Sequence, residues 1–146
     1  MRIYFVVKLD WYTWSSYGCQ DLFMAIIITK WGKDCCEVAA KVWHMVLNWV
    51  NLNFITPPNL ASHLDCWFNE VCAKKVRNGL LLIWHATVWT IWLERNDRIF
   101  KGVNKEVGKI FDAVKTLSWC WCLNRLKIGA FMFFEWYWNP RDCLAR

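Results

Sequence analysis

Eight cysteines, at positions 19, 35, 36, 66, 72, 120, 122 and 143, and three histidines, His44, His63 and His85, are the residues that could hold a metal or act as nucleophile and base. A structural zinc site needs four such ligands at about 2.0–2.3 Å, supplied at recognised spacings. His63-x-x-Cys66 puts two ligands one turn apart on a helix, and Cys72 follows. Cys120-x-Cys122 is tighter than the usual knuckle, and Cys35 and Cys36 are adjacent. None of these completes a set, so no zinc or other cofactor is expected, and the thiols are read as buried or free. No nucleophile elbow, phosphate loop or H-E-x-x-H string occurs. A Cys/His pair would have to be assembled by the fold, so catalysis is not expected.

The remaining chemistry is cationic. A formal charge of +6 and a pI near 9.0 favour anionic partners, nucleic acid before an acidic membrane surface. Lys74, Lys75 and Arg77 form one basic cluster; Lys101, Lys105 and Lys109 form another, the last two a helical turn apart. An exposed Trp or Tyr near either could stack on the unpaired bases of RNA or single-stranded DNA. The competing reading is a solvated basic face that keeps an apolar chain soluble. At 57% hydrophobic residues with 13 tryptophans, the chain either buries its aromatic surface in one core or self-associates through it.

These residues must be positioned by helices. In the densest apolar run, Leu81, His85, Val88, Trp92, Arg95 and Ile99 recur at steps of four and three, which places them on one stripe. Thr87, Thr90, Glu94, Asp97 and Arg98 share a polar wedge beside it. His85 and Arg95 stand where Leu or Ile would be expected. They read as a structural polar pair in the core, or alternatively as the mark of a contact surface. Ala39, Val42, Val46 and Trp49 form a stripe, and Asn51, Asn53 and then Thr56-Pro57-Pro58 end its helix, since proline cannot continue one. Asn59 is a plausible cap for a helix carrying Leu60, Leu64, Trp67 and Val71, which Lys74, Lys75 and Arg77 close at its C-terminal end. Asn78-Gly79 reads as a break, Gly102 as a helix end and Asn104 as the next cap. Val103, Val107, Ile110, Val114, Leu117 and Trp121 then form another long stripe. The expected fold is all-α, one domain over residues 36–146 with about four helices, its core an antiparallel hairpin of 80–100 and 104–125. Residues 131–138 are an aromatic cluster, and Asn139-Pro140 a turn. Residues 1–35 read differently, either as irregular, poorly ordered chain or as short strands at Ile3–Leu9 and Leu22–Thr29, with breaks at Gly18 and Gly32.

No convincing signal peptide opens the chain, so an intracellular site, nucleus or cytoplasm, is expected rather than secretion. Leu80–Leu93 is the nearest approach to a membrane span. It falls short of the roughly 20 apolar residues required, which leaves membrane association as a lesser alternative.

Three strings carry a family resemblance: WHATVWTIWLERNDRIF at 84–100, SWCWC at 118–122 and EWYWNPRDCL at 135–144. They resemble the C-terminal region of plant LINE-type (non-LTR) retrotransposon reverse transcriptases, which follows a zinc-binding segment downstream of the polymerase. Cys36-Glu37-Val38-Ala39-Ala40-Lys41-Val42-Trp43 resembles the last cysteine of that segment and the helix after it. The resemblance implies a role beside the polymerase in handling template RNA, and it makes Cys36 a vestigial zinc ligand. The histidine of the segment should then stand at position 31, which is Trp31, and no C-x-x-C precedes it. The polymerase's adjacent pair of aspartates is also absent from the sequence. The resemblance therefore implies a severed and decayed tail without catalysis, retaining at most weak nucleic-acid binding. The alternative from another class is a helical protein–protein interaction module.

Overall fold

Ala39, Val42 and Val46 all face inward in the computed structural model, buried on one side of helix α1 (Cys36–Trp49). The structure describes residues 36–57, 60–71, 73–126 and 129–146, all within one compact unit. The strands and breaks expected in residues 1–35, and the cap expected at Asn59, lie outside the described residues. α1 stops where Asn51 enters the left-handed region at φ 56°, and the Leu52 amide returns to the Leu47 carbonyl at 2.9 Å. Asparagine tolerates that conformation better than most residues and often closes a helix in this way.

Five further helices follow: α2 (Leu60–Asn69), α3 (Lys74–Lys101), α4 (Val107–Arg125), α5 (Phe133–Trp138) and α6 (Pro140–Ala145). No strand occurs among the described residues. The fold is all-α, and the α3–α4 pair has the largest interface between its helices. α3 also packs against α1, α2 and α6, while α5 covers α4. The aromatic cluster and the turn at Asn139-Pro140 have become the two short helices α5 and α6, with Pro140 at the start of α6, where its missing N–H costs nothing.

Two boundaries differ from expectation. Asn78-Gly79 breaks nothing, because α3 begins five residues earlier, at Lys74, and runs through both. Gly79 serves packing instead: a β-carbon there would stand 2.1 Å from Leu144 Cδ2. α4 begins at Val107 rather than at Asn104, with Glu106 in the cap position and no side-chain cap bond. Gly102 does end α3, at φ 64°, with its amide on the Asp97 carbonyl.

The buried face of α3 is also rotated from the expected stripe. Of that stripe only Val88 is fully buried, and Ile99 is 56% exposed. The core face runs instead through Leu80, Ile83, Trp84, Thr87, Ile91 and Glu94. Three members of the expected polar wedge, Thr87, Thr90 and Glu94, are therefore inside. The two threonines can be buried because their hydroxyls are bonded, and Glu94 is held at Oε1 by the Lys105 amide. The Thr87 and Thr90 hydroxyls donate to the carbonyls of Ile83 and Ala86 at 2.8 and 2.7 Å, an i−4 bond that suits a threonine in a helix. Among the described residues, no helix is long and apolar enough to cross a membrane.

Candidate nucleic-acid interface

The two basic clusters stand at opposite ends of α3. Twenty-eight helical residues extend about 40 Å, so the six cations do not form one patch. Lys74 and Lys75 are exposed in the first turn of α3, not in the last turn of the preceding helix, which ends at Asn69. Cations there oppose the helix dipole, so their placement is not a stabilising cap. No side chain caps that end either: Ala73 holds the cap position. Neither lysine forms an ion pair among the described residues. Arg77 is half-buried, with Nε donating to the Val71 carbonyl at 3.2 Å.

At the other end the lysines are occupied. Lys101 meets Asp97 at 3.0 Å, and the Lys105 ammonium lies 3.1 Å from Asp97 and 3.5 Å from Glu94. The backbone amide of Lys105 also donates to Glu94 Oε1 at 3.0 Å. The bonds from Lys101 and Lys105 hold the Asp97 carboxyl below the usual carboxylate range. Glu94 and Asp97 thus fasten the link between α3 and α4, and two of the six candidate cations are consumed in the fastening. Lys109 alone of this cluster is exposed without an ion pair among the described residues. The Asp97–Lys101 spacing of four was visible in the sequence and signals neutralisation on a helix. The long-range partner Lys105 was not visible.

Lys74 and Lys75 lie between Ala73 and Val76, which line a cleft of about 520 Å³. Trp49, Asn51, Val71, Asn139 and Pro140 form its other walls, with Glu70, Arg141 and Asp142 at its polar positions. Arg141 donates to the Asn51 carbonyl at 3.1 Å. Next to Asn139 in the chain is Trp138, 65% exposed and the most open of the described tryptophans. Lys74, Lys75 and Trp138 do not line the cleft; each is exposed next in sequence to a residue that does, and exposed cations with an open indole are the groups that hold a single strand with its bases splayed.

His85 and Arg95, expected in the polar core, are half-buried. The His85 ring donates from Nδ1 to the Leu81 carbonyl at 2.8 Å, and burial lowers its pKa. The deeply buried polar groups are others. His63, 2% exposed, accepts at Nδ1 from the Trp84 indole at 2.9 Å. Trp43 and Phe54 also ring it, with centroids at 4.3 and 5.4 Å. That apolar box pushes its pKa down to about 4, so the ring is neutral at physiological pH. Lys115, 6% exposed, places its ammonium 3.6 Å from the Tyr137 ring centroid and 4.3 Å from that of Phe111. Its charge is turned inward onto aromatic faces, so it adds nothing to the outer basic surface.

Among the described residues, no group of three or more His, Cys, Asp or Glu is placed to hold a metal ion. Cys36 is the first residue of α1. Burial pushes the Cys122 thiol up to about 12 and raises Cys143 as well, so both stay protonated and weakly nucleophilic. Comparison with family models, with curated proteins and with solved structures finds no match to the chain.

Proposed function

We propose that the chain is a non-catalytic helical fragment akin to the tail of a LINE-type reverse-transcriptase protein, with weak binding of RNA or single-stranded DNA as its remaining activity. One observation carries the binding: Lys74 and Lys75 are exposed in the first turn of α3 with no ion pair among the described residues, and Trp138 leaves its indole open to an unpaired base. The string that carries the resemblance supports an architectural role. Its Glu94 and Asp97 fasten the helical hairpin, and its Trp84 closes over His63. Two phosphate-neutralising lysines predict a shallow salt dependence, a log–log slope of about −1.4 on single strands, where six would give about −4. Fluorescence anisotropy with a labelled single-stranded RNA and its DNA counterpart, from low to moderate salt, tests this. Lys74→Ala/Lys75→Ala is expected to abolish the salt-dependent part. Absence of binding to either strand at low salt would sink the reading.

A second reading rests on a separate observation. Phe134 and Trp138 lie one turn apart on α5 and are 70% and 65% exposed, and Met132 before them is 72% exposed. A helical interaction module would use such a face. Association through it would hardly weaken as salt rises, which distinguishes it from phosphate binding.

A further inference from the structure

Two buried polar atoms on α3 lack a hydrogen-bond partner and belong to residues that line the same small cavity. Glu94 is 3% exposed; its Oε1 is taken by the Lys105 amide, while Oε2 has the Lys105 ammonium 3.5 Å away but accepts no hydrogen bond. Arg98 Nε is buried and likewise unpartnered. Both residues line a cavity of about 10 Å³, with Ala39 of α1, Ile91 of α3 and Ile110 of α4 among its other walls. Glu94 and Arg98 stand four residues apart, the spacing at which a carboxylate and a guanidinium usually meet directly. Here no ion pair forms between them.

We infer that this cavity is a binding site for one water molecule, which donates to Glu94 Oε2 and accepts from Arg98 Nε–H. Size selects the ligand: a single water needs about 10–15 Å³ of this kind of space, and nothing larger fits. Charge selects it too. The guanidinium groups of Arg95 and Arg98 on the cavity wall repel a cation, and the Glu94 carboxylate repels an anion. A neutral molecule that both donates and accepts satisfies both orphans at once. With the water in place, Lys101, Asp97, Lys105, Glu94 and Arg98 form one continuous polar chain across the end of the hairpin. That chain explains how a carboxylate can be buried against α1 and α4.

A crystal structure of the full chain at a resolution that orders solvent, roughly the N–H···O range of 2.7–3.2 Å being resolved for each contact, tests the inference directly. A density peak within hydrogen-bond distance of both atoms is expected. A dry cavity, or an Arg98 side chain rotated onto Glu94 with no solvent between, overturns it. Water relaxation dispersion in solution gives an independent reading. Arg98→Lys keeps the charge but removes the Nε–H donor, so the variant should hold one fewer long-lived water than the parent chain. An unchanged count overturns the inference as well.

Discussion

The side chain of Leu144 fills the space that a β-carbon on Gly79 would occupy, 2.1 Å from its Cδ2. Leu144 is fully buried and three of its side-chain carbons crowd that space, so the missing β-carbon of Gly79 lets α6 lie close against α3. Gly79→Ala gains about 1 kcal/mol of helix propensity, but overpacking a filled site costs about 1–3 kcal/mol. The expected result is net destabilisation. Leu144→Ala alone opens a cavity and costs about 2–5 kcal/mol. In that background, Gly79→Ala should become neutral or stabilising, because its methyl then has room. A double-mutant cycle by urea denaturation measures the coupling, and additive losses would show that the two residues do not compete for one space.

Gly79 also marks the limit of what the sequence made legible. Asparagine next to glycine reads as a break, since both favour non-helical backbone. The reason for this glycine is a leucine near the other end of the chain, which no local pattern reveals. The phase of α3 was obscured for a related reason. Threonine and glutamate count as polar in any periodicity, yet Thr87, Thr90 and Glu94 are buried, the two hydroxyls bonded within α3 and Glu94 Oε1 to the link after it. By contrast, the ends of α1 and α3 could be read from Asn51 and Gly102, whose left-handed backbone is a local property. The basic clusters were visible as composition only. Their separation along α3, and the neutralisation of one of them, required the fold.

The buried His63 gives stability a defined pH dependence. Its pKa is about 6.5 in the unfolded chain and about 4 in the fold. Between those values the unfolded chain binds the proton and the folded one does not, so stability falls as pH drops through that window. It is flat above about pH 6.5 and levels off below about pH 4 as far as this group is concerned, for a total near 3 kcal/mol. His63→Gln retains an acceptor for the Trp84 indole and removes the titration. Urea midpoints at pH 7 and pH 5 should differ clearly in the parent chain and much less in the variant. His85, lowered in the same direction by burial, leaves a smaller residual slope.

The fastening of the hairpin separates two kinds of lysine. Lys105→Ala removes the side-chain contacts to Asp97 and Glu94 but leaves the backbone bond to Glu94 Oε1. The ammonium is largely solvated, so the expected loss is at most about 1 kcal/mol. Glu94→Ala takes away the acceptor of the Lys105 amide and should cost more, about 1.5–3 kcal/mol, while Glu94→Gln retains an acceptor and should fall between. In strand-binding measurements the order reverses. Lys105→Ala should bind as the parent does, whereas Lys74→Ala/Lys75→Ala should lose affinity without losing stability. Equal effects on binding from both sets would mean that the fastened cluster faces the nucleic acid after all.

Tryptophan is the chain's means of attaching its C-terminal helices, and one indole tests this. Trp136 of α5 is fully buried, and its Nε1–H is shared between the Lys115 carbonyl at 3.1 Å and Ser118 Oγ at 3.2 Å. Trp49 donates in turn to the Tyr137 carbonyl at 2.9 Å, and Trp119 to the Phe131 carbonyl at 3.3 Å. Each bond ties an indole of one segment to the backbone of another, so the rings fix register as well as filling volume. Trp136→Phe keeps an aromatic ring stacked on Phe131 but removes the donor and part of the volume. Loss of a buried hydrogen bond together with a residual cavity is expected to cost about 2–4 kcal/mol. Trp138→Phe changes an exposed ring and should stay within about 0.5 kcal/mol. Denaturation midpoints of the two variants, compared with the parent, check the contrast. Hydrogen exchange adds a spatial test: in Trp136→Phe, protection should fall first in α5 and α6, with α3 and α4 retaining theirs. A uniform loss across all the helices would mean that the C-terminal helices are part of the main cooperative unit rather than pinned onto it by indoles.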